Sequence, residues 1–216
     1  SEIFAAAMQD YNRALILGEQ TFGKGTVQQH RPLGRIYDLY ENPLGSVQFT
    51  IAKFYRINGG STQHKGVVPD ILFPSVIDHA DWGESQEENA LPWDSIARAN
   101  YTTFGENKNT VKGLTDLYNQ RVKKEFNYII EDVERYKIKK EDKTISLVET
   151  ERLKEKTEIE QRNLLRTNER LVRLGFEKVE NLEDLPDVLE SVDPFLEEAA
   201  NITYDVLTMG KYAINK

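Results

Sequence analysis

A lysine placed between two glycines, in the segment Gly23-Lys24-Gly25, is the feature of this chain that points most clearly to chemistry. The segment follows an apolar run at residues 14–17, which is typical of a strand entering a turn. A lysine in this setting either binds an anion or, when it is stripped of water, acts as a base. The rest of the sequence helps to choose between these two chemistries.

The anion-binding alternative rests on the spacing of Gly18, Gly23 and Lys24, which matches the first seven positions of a phosphate-binding P-loop. The eighth position of a P-loop is Ser or Thr, which ligates magnesium, but here it is Gly25. A helix should follow, yet residues 26–30 are β-branched and polar and soon meet a proline. The sequence therefore disfavours a nucleotide site.

The second alternative is a general base. Lysine has a pKa of about 10.4 in water, so it serves as a base at neutral pH only when burial or a nearby cation lowers that value. Apolar residues on both sides of Lys24 predict that it is buried, and in an extended segment Thr26 and Gln28 share its face. Gln28 can then hold the amine in place. We predict a Ser–Lys dyad, with a plain strand-end lysine beside a glycine turn as the alternative.

Four segments together resemble the C-terminal half of the peptidase domain in the C-terminal processing peptidases: residues 1–10, 13–19, 21–28 and 65–71. Residues 89–96 and the charged helical tail narrow this resemblance to the tail-specific protease branch. The resemblance implies an α+β or α/β fold, namely a fragment of a ClpP/crotonase-like peptidase core followed by a mainly helical domain. It also implies polypeptide substrates bound by their C-terminal tails, and a bacterial periplasmic or cell-envelope location.

The resemblance also implies roles for individual residues. The lysine of the Gly-Lys-Gly turn is the general base in this family and the glutamine four residues later positions it, so these roles fall on Lys24 and Gln28. The nucleophile is the middle serine of a serine-rich tract, and Ser1 aligns with the last serine of that tract. We therefore expect the nucleophile two residues before Ser1, and the PDZ domain and an oxyanion-hole glycine outside this chain. The chain alone is expected to be inactive, and no cofactor or metal is implied.

The charge distribution narrows the range of partners. The 216 residues carry 28 Lys and Arg against 36 Asp and Glu, a net charge of -8. Residues 1–80 are balanced, so the acidic excess lies beyond them, which argues against nucleic acid or anionic lipid as a partner. The chain has no cysteine, which excludes disulfides and thiol catalysis. The three histidines are far apart in sequence and lack ligand spacing, so no metal site is predicted: His30, His64 and His79.

The pattern of apolar residues predicts the elements of the first part. We expect a short helix over residues 2–11, a buried strand over 13–18, a strand over 44–58, and loops over 30–43 and 65–71. The predicted domains are the peptidase part at residues 1–79, a junction at 80–110 and a helical domain at 111–216. Two tryptophans in the junction are expected to anchor it by packing: Trp82 and Trp93.

The second part is predicted to be helical. One amphipathic helix is indicated by apolar residues spaced three and four apart: Leu114, Leu117, Tyr118, Val122, Phe126, Ile129, Ile130 and Val133. A charged helix is expected over 144–174, and Asp193-Pro194 predicts the start of a last helix. The alternative to a peptidase is a non-catalytic module whose helical half binds an adaptor or substrate protein. Exposed strand edges would also favour self-association of the chain.

Overall fold

The computed structural model describes residues 1–34, 44–77, 79–104, 108–121, 125–186 and 193–209. The chain divides into two compact units, Ser1–Asp116 and Leu117–Lys216. Strands and short helices make up the first unit and helices the second, which confirms the predicted mixture of α and β structure followed by a helical part. The domain boundaries predicted at residues 79 and 110 stay predictions.

Among the described residues up to Gln86, the first unit contains one longer helix, two pairs of strands and two short helical turns. In chain order these are α1 (Glu2–Asp10), β1 (Leu17–Gly18), β2 (Thr26–Pro32), β3 (Ser46–Lys53), β4 (Ile71–Leu72), α2 (His79–Trp82) and a 3₁₀ turn (Glu84–Gln86). Strand β1 pairs in parallel with β4, with Leu17 opposite Ile71. Strands β2 and β3 form an antiparallel ladder that runs from the Thr26–Lys53 pair to the Pro32–Ser46 pair.

Several sequence predictions for this unit need correction. The strand expected over residues 13–18 is only the two residues of β1, which are half-buried, because β4 supplies a partner of only two residues. The loop expected over 65–71 ends in a strand, since Ile71 belongs to β4. Strand β3 is confirmed over a shorter range than 44–58, but its apolar residues are exposed, with Ile51 55% accessible. Of the loop predicted at 30–43, residues 30–32 belong to β2 and residues 35–43 lie outside the described residues.

The core of the first unit lies beside β4 and combines apolar with polar side chains. Its buried apolar residues include Ala6, Val67, Ile71 and Phe73, and its buried polar residues include Ser61, Thr62, Gln63 and Glu84. Buried polar groups are costly unless they are hydrogen-bonded, so their placement here points to a specific structural task.

Residues 93–104 lie against this unit through backbone hydrogen bonds. Asp94 O accepts from Ser61 N, Ile96 N donates to Gly59 O, and Phe104 N donates to Tyr11 O. The expected anchoring by tryptophans is confirmed, because Trp93 Nε1 donates to Ser61 O at 2.9 Å. The Trp82 ring meets the Phe22 ring edge to face, with their centroids 5.0 Å apart.

The second unit is helical, and its first helix, α3 (Lys108–Arg121), begins in the first unit. The remaining elements are α4 (Glu125–Glu141), α5 (Glu149–Arg173), a 3₁₀ turn (Leu182–Asp184) and α6 (Pro194–Met209). The apolar residues predicted to share one amphipathic helix lie on α3 and α4, and the predicted residue Val122 lies outside the described residues. The charged helix predicted over 144–174 is confirmed as α5, which starts at Glu149.

Aromatic packing and a cap hold the helices of the second unit. The Phe126 ring stacks edge to face on Tyr118 and on Phe195, at centroid distances of 5.9 and 5.5 Å. Asp193 caps α6 as predicted, because its Oδ1 accepts from the backbone N of Phe195 and of Leu196. Apolar residues at helical spacing therefore pack together in the second unit, where Tyr118, Phe126 and Phe195 are in contact.

Candidate active site

The Gly23-Lys24-Gly25 turn connects β1 to β2 and is packed tightly against residues 61–66. Gly23 has a φ of 91°, which favours glycine. A Cβ atom on Gly23 would lie 2.9 Å from the backbone carbon of His64, and one on Gly25 would lie 2.6 Å from the backbone nitrogen of Gln63. Both glycines are therefore needed for the backbone to come this close.

The structure brings the two predicted site residues together. Lys24 Nζ donates to Gln28 Oε1 at 3.0 Å. The same oxygen accepts from Gln48 Nε2 at 2.8 Å, so a side chain of β3 helps to hold Gln28 in place. Sequence reasoning missed Gln48, although its place on a strand of alternating apolar and polar residues is a usable signal. The catalytic roles of Lys24 and Gln28 stay predictions.

The expected burial of Lys24 is wrong for this chain. Both Lys24 and Gln28 are exposed, because β2 and β3 present both faces of their ladder to solvent. Val27, which was expected to shield the lysine, is itself 43% accessible, and Phe22 packs on Trp82 instead. Residues 1–34 and 44–77 do not shield the Lys24 amine from water, so desolvation of this amine requires other protein surface to pack over it.

A carboxylate that sequence reasoning missed holds the turn from the side of α1. Glu2 Oε1 accepts from Gly23 N at 2.7 Å and from the hydroxyl of Thr21, and its Oε2 accepts from Lys24 N at 3.0 Å. The Thr21 hydroxyl in turn accepts from Val67 N at 2.8 Å. An acidic residue in the first turn of a helix was the available signal, but it indicates helix stabilisation rather than this contact.

The third backbone amide of the turn is satisfied from the core. Gly25 N donates to Gln63 Oε1 at 2.8 Å, and Gln63 Nε2 donates to Glu84 Oε1 at 3.3 Å. The amides of Gly23, Lys24 and Gly25 are thus all bonded to protein oxygens. A phosphate cradle needs such amides free for its ligand, and residues 26–32 form a strand where a P-loop has a helix, so the nucleotide alternative is excluded.

An open pocket of about 580 Å³ lies beside Lys24. Ser1 and Lys24 both line it, together with the apolar side chains of Ile3, Phe22, Ile77 and Trp82 and the polar residues Glu2, Glu19, Gln20 and Thr21. Within the described part of the chain, Lys24 Nζ is bonded to Gln28, and no hydrogen bond joins it to Ser1. The pocket places the amino end of α1 and the lysine on one concave surface.

The histidines take no part in this arrangement. His30 is exposed on β2, and His64 lies in a turn with a φ of 64°. The side chain of His79 lies outside the described ones. Among the described residues, no three His, Asp or Glu side chains are grouped as a metal site requires. Over the same residues, no helix has both the length and the apolar character needed to cross a membrane.

Comparison with known proteins relates both parts of the chain to peptidases. Residues 1–73 match the model of Peptidase family S41, and residues 77–208 match that of the C-terminal domain of tail specific protease. The chain is 46% identical over 211 residues to the tail-specific protease of Haemophilus influenzae, an alignment that covers 95% of this chain.

Shorter alignments reach two further relatives. The carboxy-terminal-processing protease of Bartonella bacilliformis is 47% identical over 33% of this chain, and the carboxyl-terminal-processing protease of a Picosynechococcus species is 37% identical over 34% of it. The aligned region is 30% of the Haemophilus protein and 15% and 16% of the other two. The matches to residues 1–73 and 77–208 show that this chain belongs to the tail-specific protease family, with a Peptidase family S41 part followed by the family's C-terminal domain.

Proposed function

We propose that this chain supplies the general base of a serine endopeptidase, with Lys24 as the base of a Ser–Lys dyad and Gln28 as its positioning partner. The observation that supports the proposal is the 3.0 Å bond from Lys24 Nζ to Gln28 Oε1, on a turn whose three amides are all held by side chains. Catalysis by a base requires such fixed placement. The proposed substrates are polypeptides that are bound and cleaved from their C-terminal ends.

The chemistry follows from this placement. Neutral Lys24 removes the proton from a serine hydroxyl while the serine oxygen bonds to the scissile carbonyl carbon. The tetrahedral intermediate collapses, the C–N bond breaks, and Lys24 returns the proton to the leaving amine. Water then hydrolyses the acyl-enzyme. Gln28 Oε1 accepts one N–H of the amine, which leaves the lone pair of the nitrogen free to face the serine.

The nucleophile is proposed to lie two residues before Ser1. Glu2 ties the first turn of α1 to the amides of Gly23 and Lys24, so a residue just before α1 enters the pocket that Lys24 lines. The rest of the protein is proposed to bury Lys24 as well. Exposed apolar side chains beside the site are suited to such cover, since Ile3 is 54% and Phe4 is 70% accessible.

The test uses the whole protein and three variants. Lys24→Ala is expected to abolish peptide cleavage with the fold intact, and Lys24→Arg to do no better, because a guanidinium does not deprotonate. Gln28→Ala is expected to lower kcat less. Lys143→Ala, at an exposed lysine between α4 and α5, is the matched control and is expected to cleave normally. Normal turnover by Lys24→Ala would refute the dyad.

A chemical probe tests the placement of the nucleophile. A serine-directed fluorophosphonate is expected to label the whole protein and to leave residues 1–216 alone unlabelled, because a base needs a serine within hydrogen-bond reach. Stoichiometric labelling of Ser1 would show that the nucleophile has been placed wrongly and that this chain carries its own dyad.

A second role is proposed for the helical part, namely binding of an adaptor or substrate protein. It is supported by exposed apolar side chains on two helices: Leu153, Leu165 and Val172 on α5, and Leu196 and Tyr204 on α6. Leu165→Gln with Leu196→Gln is expected to slow degradation of a protein substrate and to leave cleavage of a short peptide unchanged. Equal effects on both substrates, or none on either, would contradict this role.

Two further proposals concern self-association of the chain and its location in the cell. Exposed apolar residues on β3 support self-association of the isolated chain, which sedimentation across a range of concentrations tests. The periplasmic or cell-envelope location rests on the family resemblance, and fractionation of the source bacterium tests it.

A further inference from the structure

Two buried side chains support the lysine turn from behind. Gln63 is fully buried, and its amide bridges Gly25 N, at 2.8 Å from Oε1, and Glu84 Oε1, at 3.3 Å from Nε2. Glu84 is itself only 7% accessible. Neither residue lines the pocket beside Lys24, so neither is placed to touch a substrate there.

Glu84 determines which way the Gln63 amide faces. The NH₂ group of Gln63 donates to the Glu84 carboxyl oxygen, which leaves the amide oxygen of Gln63 to face the N–H of Gly25. Without that acceptor the amide is free to flip, and its NH₂ group would then oppose the N–H of Gly25. A buried backbone amide that is left without an acceptor destabilises the turn that carries it.

Glu84 also holds the other side of the turn. Its backbone N donates to Phe22 O at 2.9 Å, two residues before Lys24, while Gln63 holds Gly25 just after the lysine. The same residue thus fixes the backbone on both sides of Lys24. A shift of about 1 Å at a catalytic group can cost about 100-fold in rate, so this support has a direct kinetic consequence.

We propose that Gln63 and Glu84 are positioning residues that set the place of Lys24. Glu84 lies within residues 77–208, the part that matches the C-terminal domain of tail specific protease. That region therefore contributes a residue to the support of the base as well as forming the helical unit. The inference rests on the proposed function, in which Lys24 is the base.

The experiment measures kcat and KM for a short peptide with the whole protein. Glu84→Leu, which removes the acceptor, and Gln63→Met, which removes both amide bonds, are each expected to lower kcat at least tenfold and to leave KM within twofold. Glu84→Gln keeps an acceptor oxygen and is expected to stay within threefold of the parent. The double variant Gln63→Met with Glu84→Leu is expected to have the same kcat as Gln63→Met alone, because both side chains act through Gly25.

A second measurement reports on the action of Lys24 as a base without a peptide substrate. The rate at which a fluorophosphonate phosphonylates the serine nucleophile, with release of fluoride, is expected to fall in parallel with kcat. Ile71→Val is the matched control, since it trims a buried apolar side chain in the same unit, and that side chain has no polar atom with which to hold the turn. It is expected to lower the melting temperature and to leave kcat unchanged.

The outcomes separate this inference from the dyad. Parent-like kcat in folded Glu84→Leu overturns it, as does an equal loss of kcat in Glu84→Gln and Glu84→Leu. If Gln63→Met does not fold, the comparison of the two Glu84 variants decides. An inactive Lys24→Ala together with normal Glu84→Leu refutes only the positioning role, whereas an active Lys24→Ala refutes the dyad itself.

Discussion

Gly25→Ala should damage catalysis through a movement that the structure allows to be sized. The added Cβ would lie 2.6 Å from the backbone N of Gln63 and 2.9 Å from the hydroxyl of Ser61. Ordinary van der Waals contact begins at 3.4 Å, so the turn must retreat by about 0.8 Å from Gln63. The obstacle is backbone rather than the tip of a flexible side chain, so the turn is the part that moves.

That movement acts directly on the lysine. Lys24 precedes Gly25, and its Nζ is held 3.0 Å from Gln28 Oε1. A misplacement of about 1 Å costs about 100-fold in rate, which corresponds to about 2.7 kcal/mol of transition-state stabilisation. We therefore expect kcat of the whole protein to fall between tenfold and 100-fold, with KM changed by less than threefold because Gly25 does not line the pocket.

The assay follows cleavage of a peptide with a free C-terminus, alongside thermal melting. Gly60→Ala is the control: a Cβ there would meet only the Asn58 side-chain oxygen, at 3.3 Å, and the Trp93 ring, at 3.8 Å. It is expected to keep kcat within twofold of the parent. A parent-like kcat in folded Gly25→Ala would refute the claim that close packing of this turn sets the position of Lys24.

Three further predictions concern the fold. Burial, together with the Glu198 carboxylate, raises the pKa of Tyr118 from 10.0 to about 12. The neutral ring therefore stabilises the fold below pH 10, and this stability is lost toward pH 12. Tyr118→Phe should reduce this pH dependence in urea unfolding curves, and an unchanged dependence would contradict the prediction. Arg121→Met should cost about 3 kcal/mol in the same assay, because it leaves buried Glu198 without its 2.7 Å ion pair, and a loss under 1 kcal/mol would contradict this. Trypsin should cut first after Lys143, which lies in the exposed connection between α4 and α5. It should cut later after Arg98, because the backbone on both sides of Arg98 is hydrogen-bonded to the rest of the first unit. If mass mapping shows that Arg98 is cut first, residues 93–104 are not held against the first unit as the structure shows.

Local patterns were sufficient to predict several elements and the central contact of the site. The alternation of side chains along an extended chain placed Lys24 and Gln28 on one face, and the structure joins them. Helical spacing of apolar residues predicted α1, and a single Asp-Pro pair predicted the cap of α6. Each signal spans only a few residues, so the chain itself enforces the geometry.

Predictions that depended on neighbouring layers failed. The apolar residues around Lys24 were expected to bury it, yet Val27 is itself exposed. Alternation along a strand shows which side chains share a face, but burial requires a second layer over that face. The aligned region is 30% of the Haemophilus relative, and the proposed function assigns this second layer to further parts of such a longer protein.

The partners of the turn lie beyond the reach of any local pattern. Glu2 is 21 residues from Gly23, and Gln63 is 38 residues from Gly25. The sequence does allow one general inference. A buried backbone amide must have a hydrogen-bond acceptor, so a tight Gly-Lys-Gly turn implies side-chain or backbone oxygens facing it. Because strand and helix ladders cannot supply these acceptors inside a turn, oxygens from elsewhere in the chain must. The requirement for Glu2, Gln63 and Glu84 was thus predictable in kind, and only the fold could identify which residues meet it.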